Sequence, residues 1–190
     1  MKSDPAPGHA LVIVEKMYRH GLIVGKFAPP HRGHQLAVDT ALRLCGRVTA
    51  LVYARPDFVR MPSDFRAGLL RRLYPDVDFL VPADPPRDDE SDAVQRRFVK
   101  NYLADRGIEI DVVFTSEDYG PGFAAVLAVR HHAVDPPRRS FAISGSQIRK
   151  NIGKHRRYLD PMVFEALHAA GDLDLRGDDS VVSTRVVRVR

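Results

Sequence analysis

Two short stretches of this chain carry side chains suited to chemistry on a polyanion. The first, residues 21–34, reads Gly-Leu-Ile-Val-Gly-Lys-Phe-Ala-Pro-Pro-His-Arg-Gly-His. It sets Lys26 and two imidazoles, His31 and His34, around a turn rich in glycine and proline. The second, residues 143–149, reads Ile-Ser-Gly-Ser-Gln-Ile-Arg. A glycine between Ser144 and Ser146, where a helix begins, offers backbone N–H groups and two hydroxyls to an anion. Arg149 follows Ser146 by about one helical turn, and a guanidinium there can fork onto phosphate oxygens. Each stretch alone has a blander reading. Ser-Gly-Ser before a helix is an ordinary cap. His31 and His34 have the spacing of two metal ligands on a helix, but no third ligand is nearby and the preceding Gly/Pro turn favours phosphate.

Certain elements must position these groups. Leu22, Ile23 and Val24 form an apolar run that breaks at Gly25 and at Pro29-Pro30. Helical periodicity follows in Leu36, Val38, Ala41, Leu42 and Cys45. A strand, a tight turn and a helix make half of an α/β unit. The turn falls at the carboxyl end of a strand and the amino end of a helix. Open α/β sheets bind ligands there, and free N–H groups attract phosphate. Further strands are predicted at 48–53, 77–81 and 110–114, with a brief one at 133–134 after the first at 21–27. Helices are predicted at 33–44, 62–73 (capped by Ser63), 94–103, 123–129, 146–151 and 161–170, and a loop at 82–89. That alternation implies a doubly wound α/β fold: a parallel sheet of about five strands with helices on both faces. The main domain spans 20–170. Residues 1–19 form a tail or an extra strand over 11–18. The extension 171–190 alternates apolar residues with Thr or Arg from 181 onward and is a candidate edge strand.

Composition narrows the function classes. The chain has 190 residues, of which 44% are hydrophobic and 28% charged, enough for a buried core. A formal charge of +5 favours anionic partners. No basic, aromatic-rich strand suggests single-stranded nucleic acid, so no nucleic-acid partner is expected. The one cysteine, Cys45, excludes an internal disulfide and suits a reducing cytoplasm. On a helix face it reads as a small apolar residue, not a nucleophile. No apolar run reaches the roughly 20 residues of a membrane span, so no membrane partner is expected. The polar, Pro-rich N-terminus has no signal-peptide core. His131-His132 reads as a loop pair. Asp88-Asp89-Glu90 reads first as a solvated loop, with a role near substrate or Mg²⁺ as the minority reading, and Arg71-Arg72, Arg96-Arg97 and Arg156-Arg157 read as solvated helix faces.

The two main stretches together, about 110 residues apart, resemble the HxGH nucleotidylyltransferase superfamily. Within it, the chain looks nearest to the nicotinamide mononucleotide adenylyltransferase domain of NadR-type proteins. Three further segments carry that resemblance. Met61-Pro62-Ser63-Asp64-Phe65-Arg66 with Leu69-Leu70-Arg71-Arg72-Leu73-Tyr74-Pro75 looks like the family's Pro-Gly-x-Leu-Arg helix and the Leu-Tyr/Phe-Pro after it. Phe114-Thr115-Ser116-Glu117 looks like its Thr/Ser-Ser-Glu turn. Val134-Asp135-Pro136-Pro137-Arg138-Arg139 looks like its Val-Asp-Pro-x-Arg segment. The resemblance covers about residues 20–165 and implies a Rossmann-like fold that transfers a nucleotidyl group from a nucleoside triphosphate.

It also implies roles. His31 and His34 would contact the triphosphate, and Lys26 and Arg149 would neutralise charge on pyrophosphate. The backbone around Gly25, Phe27, Gly33 and Gly145, with Ser144 and Ser146, would cradle phosphates. Thr115, Ser116 and Glu117 would lie near adenosine; Arg66, Phe98 and Arg138 would meet the acceptor. Mg²⁺ would travel with ATP, held mainly by phosphate oxygens and water rather than by a dedicated protein metal site. The partners implied are ATP and a phosphorylated acceptor, with homo-oligomerisation left open. One departure concerns the acceptor. The family commonly stacks the pyridine ring on an aromatic residue, often Trp, after the third strand, and this chain has no Trp. Gln95 falls in that neighbourhood, with Phe98 or Tyr102 as substitutes. No Gly-x-x-x-x-Gly-Lys-Ser/Thr loop occurs, so no kinase half is expected. Three functions follow: an adenylyltransferase making NAD; a relative using another acceptor, such as phosphopantetheine, or CTP with a phosphoalcohol; and a non-catalytic nucleotide-binding module.

Overall fold

The computed structural model describes residues 15–55, 58–136 and 139–170. Residues 11–14 of the 11–18 segment, all of 171–190 and Arg138 therefore lie outside the described residues. Five strands form one parallel sheet: β1 (Tyr18–Gly25), β2 (Cys45–Val52), β3 (Asp78–Leu80), β4 (Val112–Thr115) and β5 (Arg130–Ala133). Their order is β3-β2-β1-β4-β5. Helices α1 (Arg32–Leu44), α2 (Ser63–Leu73), α3 (Asp92–Ala104) and α4 (Gly120–Leu127) alternate with them, and α5 (Gly145–Lys150) and α6 (Pro161–Ala169) follow.

The period of two along a strand sorts the core into two layers. Ile23, Ala50, Val52, Val112 and Phe114 pack with Ala37, Val38 and Ala41 of α1 and with Ala67 and Leu70 of α2. Their neighbours Leu22, Leu51 and Val113 pack with Val99 and Leu103 of α3 and Phe123 of α4. The first two helices thus cover one face and the next two the other. A third cluster joins Met61 and Leu69 to Ile143, Ile148, Leu159, Val163 and Leu167, which moors α5 and α6 beside α2. The chain leaves β1 toward β2 on one side and returns to β4 on the other. The carboxyl ends of β1 and β4 therefore flank the switch point, with Ile23 paired to Phe114.

Several boundaries differ from the sequence-based expectation. β1 begins at Tyr18 and ends at Gly25 because its register with Cys45–Val52 extends the ladder downward. Cys45 is the first residue of β2, not a helix-face residue. α2 has Pro62 at its cap with no side-chain bond, so Ser63 is inside the helix and does not cap it. α3 starts at Asp92, capped by Ser91, and α4 starts at Gly120 with Pro in its first turn. His131 and His132 form the middle of β5 and do not sit in a loop. A short polar edge strand lacks the apolar run that marks a buried one.

Candidate active site

A cavity of about 530 Å³ opens at the carboxyl ends of β1 and β4, a size usual for small-molecule sites. Its lining includes Gly25, Lys26, Phe27, His31, Gly33 and His34 from the β1–α1 segment. Thr115, Ser116 and Glu117 line it after β4, and Ser144, Gly145, Ser146 and Arg149 line it from α5.

The two histidines begin α1 in a specific way. His31 is the N-cap, and its Nδ1 accepts the Gly33 N–H at 3.1 Å. His34 returns the gesture: its Nδ1 accepts the His31 N–H at 3.3 Å. This is a capping box made of imidazoles in place of Ser and Glu. With both Nδ1 atoms accepting, the proton of each neutral ring sits on Nε2, as assigned from the hydrogen bonds. The rings stack with centroids 3.7 Å apart, and Phe27 lies 4.7 Å from His34. A Cβ at position 33 would come 3.1 Å from the His31 ring, so glycine leaves that ring its place. Phe27 is buried with φ of 50°, a backbone setting costly for a bulky side chain. Such strain persists where packing over-determines it, and here it shapes the turn leading into the cavity.

The second motif touches the first. Ser144 caps α5 by accepting the Gln147 N–H at 3.2 Å, and Gln147 accepts the Ser144 N–H at 2.9 Å. A Cβ on residue 145 would lie 2.7 Å from the Ala28 carbonyl oxygen, so only glycine permits this approach. Arg149 spans the junction: one Nη donates to the Ala28 carbonyl at 2.7 Å and the other to Ser146 Oγ at 3.0 Å. Residues 121 apart in sequence are thus bonded directly.

Lys26 Nζ lies 2.5 Å from Asp88, with both side chains about half-exposed. The acidic run is therefore not simply solvated: Asp88 and Glu90 line the cavity, as do Asp92, Gln95 and Arg96 of α3. Arg96, expected on a solvated face, pairs with Asp92 at 2.5 Å. Gln95 donates to the Arg87 carbonyl at 2.6 Å, which ties the β3–α3 loop to α3. After β4, the Thr115 hydroxyl bonds His131 Nε2 at 2.8 Å and donates to the Glu117 carbonyl at 3.3 Å. His131 thus braces the turn that carries Ser116 and Glu117. Asp135, with φ of 48°, accepts the Arg139 and Ser140 N–H groups and also reaches the lining.

Two expected acceptor residues stand elsewhere. Arg66 is fully buried and donates to the carbonyls of Met61, Lys26 and Tyr53. It braces the β1–α1 turn from behind and does not line the cavity. Phe98 faces the α3 core, edge-on to Tyr53 at 6.1 Å and beside Tyr102 at 5.9 Å. The rings that do reach the cavity are Phe27, Tyr53, Phe114, Tyr119, Phe123 and Phe141. Sequence patterning missed Tyr119 because it precedes α4 and belongs to no apolar stripe. Burial, then the nearby Tyr119, pushes the Tyr53 hydroxyl well above its usual range, so it is a neutral donor. Burial likewise pushes the Cys45 thiol up to about 11, which suits a packing residue rather than a nucleophile.

No family model matches the chain. Among curated proteins, the Trifunctional NAD biosynthesis/regulator protein NadR of Escherichia coli (strain K12) is 36% identical over 89 residues, covering 46% of this chain and 22% of that protein. A crystal structure of NadR protein in complex with NAD and AMP-PNP matches at TM-score 0.52 and 21% identity, covering 78% of this chain and 47% of that one. Another, in complex with NR, matches at TM-score 0.55 and 19% identity over 77% and 45%. The chain spans less than half the length of these relatives. The fold is therefore the doubly wound α/β fold shared with NadR. Over those 89 residues the chain is also similar in sequence to part of the Escherichia coli NadR protein.

Proposed function

We propose that the chain is an adenylyltransferase that moves AMP from ATP to the phosphate of nicotinamide mononucleotide, giving NAD and pyrophosphate. One observation carries this reading: Lys26, His31, His34 and Arg149 all line the cavity into which the Gly-Ser turn of α5 opens. An acceptor phosphate already bears a nucleophilic oxygen. That oxygen attacks the α-phosphorus, the bond from the α-phosphorus to the α–β bridging oxygen breaks, and pyrophosphate leaves with the electron pair. No covalent enzyme intermediate and no strong base are needed, so catalysis is alignment and charge stabilisation. His31 and His34 present Nε2–H donors to the triphosphate. Lys26 and Arg149 balance the charge that builds on the leaving pyrophosphate. Ser144, Ser146 and the N–H groups near Gly25, Phe27, Gly33 and Gly145 hold phosphate oxygens. Thr115, Ser116 and Glu117 adjoin adenosine. The carboxylates and hydroxyls lining the cavity are oxygen donors of the kind a hard cation accepts. Mg²⁺ would ride on the phosphate oxygens, with water, and supply charge neutralisation.

A second reading, the same transfer to a different phosphorylated acceptor, is favoured by the cavity wall at α3. Gln95, not an aromatic ring, lines it there, and the chain has no Trp. Pyrophosphate release is the test, with ATP or CTP against nicotinamide mononucleotide, phosphopantetheine and a phosphoalcohol. ATP with nicotinamide mononucleotide should give the highest kcat/KM. A faster alternative pair would replace the first reading with the second. Tight ATP binding without turnover on any acceptor would leave a nucleotide-binding module. His34→Ala should lower turnover by about a hundredfold or more, the scale for losing one well-placed donor.

A further inference from the structure

Phe58 lies between two arginines. It sits in the segment from β2 to α2, where its carbonyl accepts the Met61 N–H at 2.8 Å and closes a turn. The Arg149 guanidinium carbon stands 4.4 Å from the ring centroid, and that of Arg66 stands 5.4 Å away. The same arginines grip one turn from two sides. Arg66 donates to the Lys26 carbonyl and Arg149 to the Ala28 carbonyl. Arg66 also binds the Met61 carbonyl at 2.7 Å, so it holds the turn that carries Phe58. Phe58 is not part of the cavity lining.

We propose that Phe58 is a positioning residue: its ring seats the Arg149 guanidinium at the mouth of the phosphate cradle, and Arg66 anchors the turn that presents the ring. An arginine on a four-bond stem has many rotamers, and ordering it for each turnover costs entropy. The Ser146 hydroxyl and the Ala28 carbonyl fix two of its nitrogens. The aromatic face fixes the plane, because a cation is drawn to the ring's negative quadrupole. The plane decides whether two N–H groups meet two phosphate oxygens or only one. The proposal rests on the adenylyltransferase reading of the site.

The test compares Phe58→Leu, which keeps apolar volume, with Phe58→Tyr, which keeps the ring. Phe58→Leu should lower kcat about tenfold with KM for the acceptor unchanged, and Phe58→Tyr should stay within about twofold of wild type. In an Arg149→Ala background, Phe58→Leu should have no further effect, since the ring acts through the arginine. Full kcat in Phe58→Leu, no rescue by Tyr, or additive losses in the double variant would overturn the role. If Phe58→Leu does not fold, Phe58→Met takes its place. If the wild-type protein turns over no acceptor, the transferase reading fails, and the ATP analogue AMP-PNP then decides this proposal by calorimetry. Weaker binding to Phe58→Leu, restored in Phe58→Tyr, supports it; equal binding to all three rejects it.

Discussion

The two walls of the cavity are built by different means. At the β1–α1 turn, several polar groups are bonded within the chain itself. The two imidazoles cap one another's backbone, Arg149 bridges to Ala28, Gly145 admits the Ala28 carbonyl, and Arg66 braces the turn from behind. The opposite wall, from the β3–α3 loop and α3, is held by partly exposed ion pairs and one side-chain amide. The contrast suits the proposed chemistry. A triphosphate is the same in every reaction of this kind, so its cradle can be rigid and pre-organised. An acceptor differs between enzymes, and a wall made from a loop and polar side chains changes without disturbing the core.

That contrast can be broken from either side. The largest effect is expected at Arg66. Arg66→Leu strips a buried donor from three carbonyls, each costing about 1–3 kcal/mol when left unmet. Urea unfolding should show a loss of about 3 kcal/mol or more, with the cradle lost too. A variant of near-native stability would mean that the turn holds itself. A smaller and selective effect is expected at Asp88, which neutralises Lys26 across the cavity. A half-exposed pair of this kind contributes only about 0–1 kcal/mol, so Asp88→Asn should leave the unfolding midpoint nearly unchanged. It should tighten Mg-ATP binding about threefold at low salt, less at high salt, because Lys26 no longer shares its charge. Weaker ATP binding would show instead that the carboxylate helps to hold the substrate complex.

The smallest effect lies at the other end of β1. His20 is buried, with Nε2 2.8 Å from the Thr49 hydroxyl. Burial, then the Arg47 charge, holds its pKa below the ordinary histidine value; burial acts likewise on His132. The unfolded chain titrates these groups near 6.5, above the native values. Below that pH the unfolded state takes up protons that the native state refuses, so stability is full at neutral pH and declines as pH falls. Unfolding free energies at several pH values between 7 and 5 should decline, and His20→Gln should flatten part of that slope. An unchanged slope would assign the pH dependence elsewhere.

How much was legible in the sequence differed along the same divide. The strand-turn-helix at 21–44, the alternation of strands and helices and the two polar motifs that line the cavity could be read directly. They depend on local order: an apolar run, a Gly/Pro break, a cap and a helical period. Arg66 was legible as a notable residue, but its burial beneath the turn was not. A pattern of residue types does not show which side of a loop a side chain serves. Arg96 and the acidic run looked like solvated charge because nothing local distinguishes them from it. His131 and His132 looked like loop because β5 is a polar edge strand.

The sequence by itself determined the doubly wound architecture and the pair of polar motifs whose residues line the cavity, since both follow from short-range periodicity and turn chemistry. Only the tertiary structure decided that Arg149 bonds the turn 121 residues before it. It alone decided that Phe58 is flanked by two arginines, and that the far wall is polar rather than aromatic. Those facts depend on how the chain returns to the switch point from both faces of the sheet. Contacts between distant segments are set by the packing of whole helices on the sheet, which no local stretch encodes.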